Sequence, residues 1–309
     1  MLENGLLLRK EEICYNTRTK FYISDTGEEI PYETMVCSRP VFGDGFELSE
    51  FSKDVEYRLE YLSANEELFG DHPSSCRGYF PDKKTSVELL DQSRRRARRR
   101  IFDYCICNSF DLFITLTLSG SCIDRSDYSA VIKKLNSFLG NRVKRKGLRY
   151  IGVPEYHKNG GLHFHFVTNS SPFTLVDSGC VAVDGVKKPM KISTADRKGI
   201  PIENRHTVYN IADWKLGFST AIFTYGERGS LAHYLSKELC KDVQKSLVSS
   251  GSIDKIGGRW YYHSNNLRKP VCRYTNTPFN QVCGQSYSVS TDGGDFKVFK
   301  YSDEGVILN

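Results

Sequence analysis

The chain has 309 residues, 39% hydrophobic and 26% charged, which suits a globular protein of about two domains. Its ten cysteines are irregularly spaced without a CxxC pair, no apolar run approaches a membrane span, and Met1–Arg9 is too short for a secretory leader, so the expectation is a cytoplasmic protein with reduced thiols and no membrane partner. The net charge of +6 is uneven, with −9 over residues 1–71 and +15 over the remainder, and an acidic head on a basic body points to a polyanionic partner, most often nucleic acid.

In chain order, residues 1–45 alternate in Phe21-Tyr22-Ile23 and Met35-Val36-Cys37 and break at Asp25-Thr26-Gly27 and Gly43-Asp44-Gly45, as in a hairpin-rich lobe. Glu47 to Phe69 has helical spacing, and a boundary is expected near 71–85. Residues 1–85 are therefore read as an acidic N-terminal lobe of unknown role. Asp91 to Asn108 is predicted as a helix with the apolar stripe Ala97, Ile101, Tyr104 and Cys105. Its remaining surface carries Arg94, Arg95, Arg96, Arg98, Arg99 and Arg100, six like charges that a phosphate backbone would relieve. Leu112 to Leu118 is a buried strand with Thr115 and Thr117 on one face. A helix is expected from Asp124 to Leu139, closed by Gly140-Asn141, and followed by the basic residues Arg142, Lys144, Arg145, Lys146 and Arg149. Strands are predicted over Leu148–Val153 and Leu162–Thr168, and a long, partly ordered insertion over Ser170–Thr207. Strand structure resumes around Gly217–Phe223, and Ser230 N-caps a helix through Val243. Asn276–Asn309 reads as a polar tail. The fold class is α+β: a central antiparallel sheet with flanking helices and a small N-terminal lobe.

Two stretches carry chemistry. In a strand His163 and His165 point the same way, about 7 Å apart, while Leu162, Phe164 and Phe166 point into a core. Two imidazoles hold a divalent ion only with a converging third ligand, for which Glu155 is the candidate; His157 is a weaker one. On the helix after Ser230, Tyr234, Lys237 and Lys241 share a face beside Leu231, Leu235 and Leu239. A tyrosine and lysine near a metal site in a basic protein point to phosphoryl transfer onto tyrosine, with the metal and ammonium offsetting charge on the phosphate. No G-x-x-x-x-G-K-[ST] loop is present, so there is no sign of a fused helicase.

Phe113-Ile-Thr-Leu-Thr117, then Glu155 with His163-Phe164-His165, then Tyr234-Leu-Ser-Lys237 resemble, in order, the three motifs of the HUH endonucleases, specifically the rolling-circle replication initiators of bacterial plasmids and related elements. The resemblance covers about residues 92–270, and the nickase domain is drawn over 86–275. It implies a ferredoxin- or RRM-like core, Glu155, His163 and His165 as ligands of Mg²⁺ or Mn²⁺, Tyr234 as nucleophile and Lys237 as its cationic partner. The implied substrate is single-stranded or hairpin origin DNA, with a host helicase and polymerase as partners. Glu238 stands where relatives often carry a second tyrosine, which favours a single-tyrosine nickase. Transposases and relaxases of the same class, a non-catalytic DNA-binding protein and a metal-binding regulator are the alternatives.

Overall fold

The computed structural model describes residues 15–38, 86–124, 127–156, 162–186, 188–224, 228, 231, 232, 234, 235, 259–279, 287–291 and 294–301. The turn at Gly43–Gly45 and the helix expected over Glu47–Phe69 lie outside these residues. The chain divides into two compact units, one of residues 1–84 with 270–309, the other of residues 85–269. Both are dominated by antiparallel sheet, so the fold is α+β, as expected.

In the first unit, β1 (Thr17–Ile23) and β2 (Glu29–Cys37) form the hairpin expected about Asp25–Gly27, with Gly27 in the left-handed region. The C-terminal segment supplies the other strands of a five-stranded sheet. β11 (Val271–Thr275) pairs with β1, β13 (Gly294–Lys300) with β2, and β12 (Tyr287–Thr291) with β13. Residues read as a polar tail thus share a sheet with the N-terminal lobe. The alternation Tyr287-Ser-Val-Ser-Thr followed by Asp292-Gly293 is a hairpin signal that the weak overall patterning obscured. Glu33 is buried between Arg18, 3.8 Å away, and Lys20, 3.5 Å away, which compensates its charge.

The second unit begins with α1 (Ser86–Cys107), followed by β3 (Leu112–Thr117), α2 (Tyr128–Lys146), β4 (Tyr150–Tyr156) and β5 (Leu162–Thr168). β6 (Leu175–Val183), β7 (Met190–Lys191), α3 (Ile192–Arg197), β8 (Arg205–Ile211), β9 (Ser219–Phe223) and β10 (Tyr262–His263) complete it. Its eight-stranded sheet has the order β10-β4-β5-β3-β9-β8-β6-β7. β3 and β4 both run antiparallel to β5 and hence parallel to each other, so they need the crossover that α2 supplies.

Each face of this sheet has its own core. On one, Leu112, Ile114 and Leu116 of β3, Phe164 and Phe166 of β5 and Ala221 of β9 pack with Val131, Leu135 and Leu139 of α2. On the other, Ile151, Val153 and Val167 meet Ala97, Ile101 and Cys105 of α1, together with Ala232, Leu235 and Leu267. Alternation in β3 and β5 feeds both faces, because successive side chains leave a strand on opposite sides.

Two expectations change here. The stretch Ser170–Thr207 is ordered rather than a loose insertion: β6 pairs with β8, and Val181, Val183 and Ala195 form a small core. Its many Gly, Ser and Asp residues sit at turns and at a register shift between Asp177 and Cys180, where they obscure the strand pattern. Second, α2 does not end at Gly140 but runs to Lys146, where Gly147 caps it at φ +66° and Asp127 caps the start by accepting from the Ala130 N–H. The apolar face extends to Leu139 and the basic residues form the last turn, where cations complement the helix dipole.

The two glycines should therefore respond oppositely. A Cβ at Gly140 meets nothing within 4 Å, so Gly140→Ala should stabilise the fold by about 0.5–1 kcal/mol. Gly147→Ala should destabilise it by about 1 kcal/mol, since an L side chain is strained at that φ. Urea midpoints of the two variants check both signs.

Candidate active site on one sheet face

Directly opposed residues of antiparallel strands project to the same side. The register of β3, β5 and β4 therefore produces three rows on the α1 face: Thr117, His163 and Glu155; Thr115, His165 and Val153; Phe113, Val167 and Ile151. The last row and Val153 are apolar and lie within or against the α1 core. The polar residues sit at the end of the sheet where β4 finishes and β5 starts.

Each histidine is held at one nitrogen by the threonine beside it. Thr115 Oγ1 lies 3.1 Å from His165 Nδ1, and Thr117 Oγ1 lies 3.0 Å from His163 Nδ1. His165 Nε2 is 2.7 Å from Glu155 Oε2. Nε2–H then donates to the carboxylate, and Nδ1 accepts from the Thr115 hydroxyl. A hydroxyl both donates and accepts, so the same threonine could hold the ring if Nε2 became a metal ligand and Nδ1 took the proton. The His165 and Glu155 side chains are 13% and 21% exposed, which leaves the pair reachable from solvent.

Phe113 links this pair to the tyrosine. Its ring stacks on His165 at 5.9 Å between centroids and receives Tyr234 edge-on at 5.0 Å. Ala232 and Leu235 are fully buried in the α1 core, while Tyr234 between them is 44% exposed. The preceding stretch is tied down by Arg228, which donates to the Ile106 carbonyl at 3.0 Å and to Ser109 Oγ at 3.2 Å, at the carbonyl end of α1. The phenols of Tyr150, Tyr262 and Tyr104, by contrast, are pushed up chiefly by burial, which suits packing rather than nucleophilic attack. Burial pushes the Cys105 thiol up strongly as well, so it is inert.

A second set of contacts fixes the end of β3 that carries Thr117. The backbone of Leu216 and Phe218 accepts from the N–H groups of Ser119 and Thr117, and the Trp214 indole donates to the Thr117 carbonyl at 3.1 Å. Gly217, at φ +156°, permits this approach, because a Cβ there would come within 2.2 Å of the Thr117 oxygen. Trp214 packs edge-on against Phe138, over which the Arg142 guanidinium lies at 3.7 Å. Arg142 also pairs with Asp213 at 3.5 Å, so this arginine braces α2. Burial pushes the Asp213 carboxyl up, but the Thr174 N–H and the Arg142 guanidinium outweigh it and hold the group below its usual value.

The sequence-derived site residues do not all converge. Glu155, His163, His165 and Tyr234 share one face. Lys237, Lys241, Glu238 and His157 lie outside the described residues. Arg94, Arg95, Arg96, Arg98, Arg99 and Arg100 lie on α1, which packs on that same face, with Arg96 and Arg100 exposed and the others partly buried. Lys144, Arg145 and Lys146 are exposed at the end of α2, on the opposite face. They lead into the start of β4, about 17 Å along the strand from Glu155. Among the described residues no group of three or more His, Cys, Asp and Glu side chains is gathered as a metal cluster, and Glu155 closes on His165 instead. The donor types, two imidazoles and a carboxylate, nevertheless fit a divalent cation. Sequence reasoning missed the linking role of Phe113 and the Trp214–Gly217 latch. The Phe-x-Thr-x-Thr alternation was a visible signal for the first.

The fold and this face define an α+β, sheet-built domain with a solvent-accessible His-Glu-Tyr arrangement. Residues 111–243 match the family of replication-associated proteins described under the name ORF2, a match consistent with a rolling-circle replication protein. The matched stretch runs from β3 past Tyr234 and includes Glu155, His163 and His165, but not the arginines of α1. No curated protein and no solved structure matches the chain. No described helix is long and apolar enough to cross a membrane.

Two measurements test this geometry. In ¹⁵N spectra of the imidazoles, Thr115→Val should move the Nδ1 resonance of His165 and Thr117→Val that of His163, each leaving the other ring unchanged; the same shifts in both variants would disprove the pairing. For Asp213, a depressed carboxyl supports the fold above the ordinary carboxylate range, and that support is lost as pH falls through the lowered value. Asp213→Asn should therefore be less stable at pH 7, and its stability should fall less steeply than wild type between about pH 5 and 3.

Proposed function

We infer that this protein is a replication initiator that nicks single-stranded origin DNA through Tyr234, with Glu155, His163 and His165 holding a divalent metal. The observation that carries this reading is the shared ring of Phe113, against which the Glu155-paired His165 and the exposed Tyr234 both pack, inside the stretch matching a replication-associated family.

In the proposed reaction the Tyr234 oxygen attacks phosphorus in line. An O–P bond forms to the phenol, the P–O3′ bond breaks, the phenolic proton leaves to solvent and the departing oxygen is protonated to a 3′-OH. The product is a 5′-phosphotyrosyl enzyme and a 3′ end for a host polymerase. Because one phosphodiester replaces another, the step is reversible and strand closure needs no energy input. A bound Mg²⁺ or Mn²⁺ would draw electron density from the phosphate oxygens and offset their charge. Glu155 and the two Nε2 atoms would hold it, with Thr115 and Thr117 keeping the imidazoles oriented and Phe113 setting the tyrosine beside them. Lys237 is assigned charge neutralisation at the phosphate, and unwinding is assigned to a host helicase.

The test is incubation of the protein with end-labelled hairpin and single-stranded origin oligonucleotides and Mn²⁺. Wild type should give a covalent protein–DNA adduct that survives denaturation. Tyr234→Phe should give none, and Glu155→Ala should reduce adduct formation by at least about 100-fold. Unchanged adduct from Tyr234→Phe would overturn the assignment of nucleophile. Absence of adduct from wild type on every cognate substrate, with DNA affinity intact, would favour a non-catalytic binder.

A further inference from the structure

We propose that α1 and β10 together form a second nucleic-acid site, a three-ring stacking platform flanked by two phosphate-binding arginines, that holds the single strand beside the nicking centre. The proposal rests on the nickase reading for its substrate class, but its residues lie outside the family-matched stretch.

The rings are Tyr104 of α1 and Tyr261 and His263 at β10. His263 lies 5.1 Å from Tyr104 at an interplanar angle of 31° and 5.6 Å from Tyr261 at 27°, so the three form a near-parallel ladder. Tyr261 and His263 alternate with Tyr262, which is buried on the α2 side and hydrogen-bonds to Tyr128. The register pairs His263 with Ile151, and Ile151 with Val167, which puts His263 on the face of His163 and His165. His263 is exposed, whereas Tyr104 and Tyr261 are half-buried, so the ladder is supported from within and open at the histidine. An unpaired base offers the flat surface that such a ladder lacks on its outer side.

The helix supplies the charge. Arg96, Arg100 and Tyr104 stand at i, i+4 and i+8, one stripe along α1. Arg96 and Arg100 are the exposed members of the arginine run, and the charge of Arg100 is felt at the Tyr104 phenol. Arg94, Arg95, Arg98 and Arg99 are turned partly inward. The stripe therefore runs toward the ladder, with its guanidinium-bearing residues about 6 Å apart along the helix axis. Two strand spacings and one two-residue step separate His263 from His165, on the order of 12 Å. That is a reach of a few nucleotides from the scissile phosphate. The pairing of guanidiniums with an aromatic ladder selects a single strand over a duplex, whose bases are stacked on each other.

The experiment measures binding of fluorescein-labelled oligo(dT) and of the same oligonucleotide with abasic sites, by anisotropy in EDTA so that no cleavage occurs. For wild type, abasic substitution should weaken binding about tenfold. His263→Ala should lose about tenfold on oligo(dT) and show no further loss on the abasic strand, while His263→Phe, which keeps a ring, should bind like wild type. Arg96→Ala with Arg100→Ala should flatten the plot of log affinity against log salt by about 1.4, two single-strand phosphates. Wild-type affinity and salt slope in all these variants would overturn the platform; if wild type still forms the Tyr234 adduct, the nickase reading stands without it. Failure of wild type to bind any single strand would overturn both.

Discussion

The arrangement depends on the register between β3 and β5. Thr115 faces His165 and Thr117 faces His163, so two side chains of one strand hydrogen-bond two side chains of its neighbour. A slip of one residue would send both histidines into the α2 core and bring Phe164 and Phe166 to the polar face. Those phenylalanines are fully buried, so the slip is forbidden by several kcal/mol of lost burial, on the order of 3–5 for each ring. The chemistry on one face is thus held in register by the hydrophobic core on the other.

The histidine face is itself packed along most of its length. α1 covers Ile151, Val153 and Val167, and the segment with Ala232 and Leu235 joins the same core, leaving Tyr234 at its margin. Two devices stiffen the polar end. The Trp214–Gly217 turn bonds to the backbone around Thr117, and Arg228 anchors the approach to Tyr234 at the end of α1. Neither touches the reacting groups. Both act on the strand or segment that carries them, where small displacements are costly to a reaction that needs in-line geometry.

Much of this was legible in the chain. The alternation of Leu162–Thr168 and Leu112–Thr117 revealed both strands and the face of each residue, because the side-chain period of a strand is two whatever surrounds it. The stripe Ala97, Ile101 and Cys105 likewise identified the buried side of α1. Period-based reading failed where glycine or polar residues interrupt a pattern. Gly140 looked like a helix stop because glycine favours caps, yet the apolar spacing of Val131, Leu135 and Leu139 continues into the basic last turn. The region Ser170–Thr207 looked loose because its strands are joined by turns and a register shift.

The sequence by itself determined which residues share a strand face or a helix stripe, since those are set by backbone periodicity within a few neighbours. It therefore placed His163 with His165, Thr115 with Thr117, and Glu155 near the end of its strand. Only the tertiary structure decided what those faces meet. Pairing across strands joined each threonine to its histidine and Glu155 to His165, and packing brought Phe113 between His165 and Tyr234, 121 residues further on. It also separated the basic residues, leaving Arg96 and Arg100 exposed on the helix that covers the histidine face and Lys144–Lys146 on the other side. Charge is written in composition, but its position relative to a site is set by contacts between residues distant in the chain, which no local periodicity encodes.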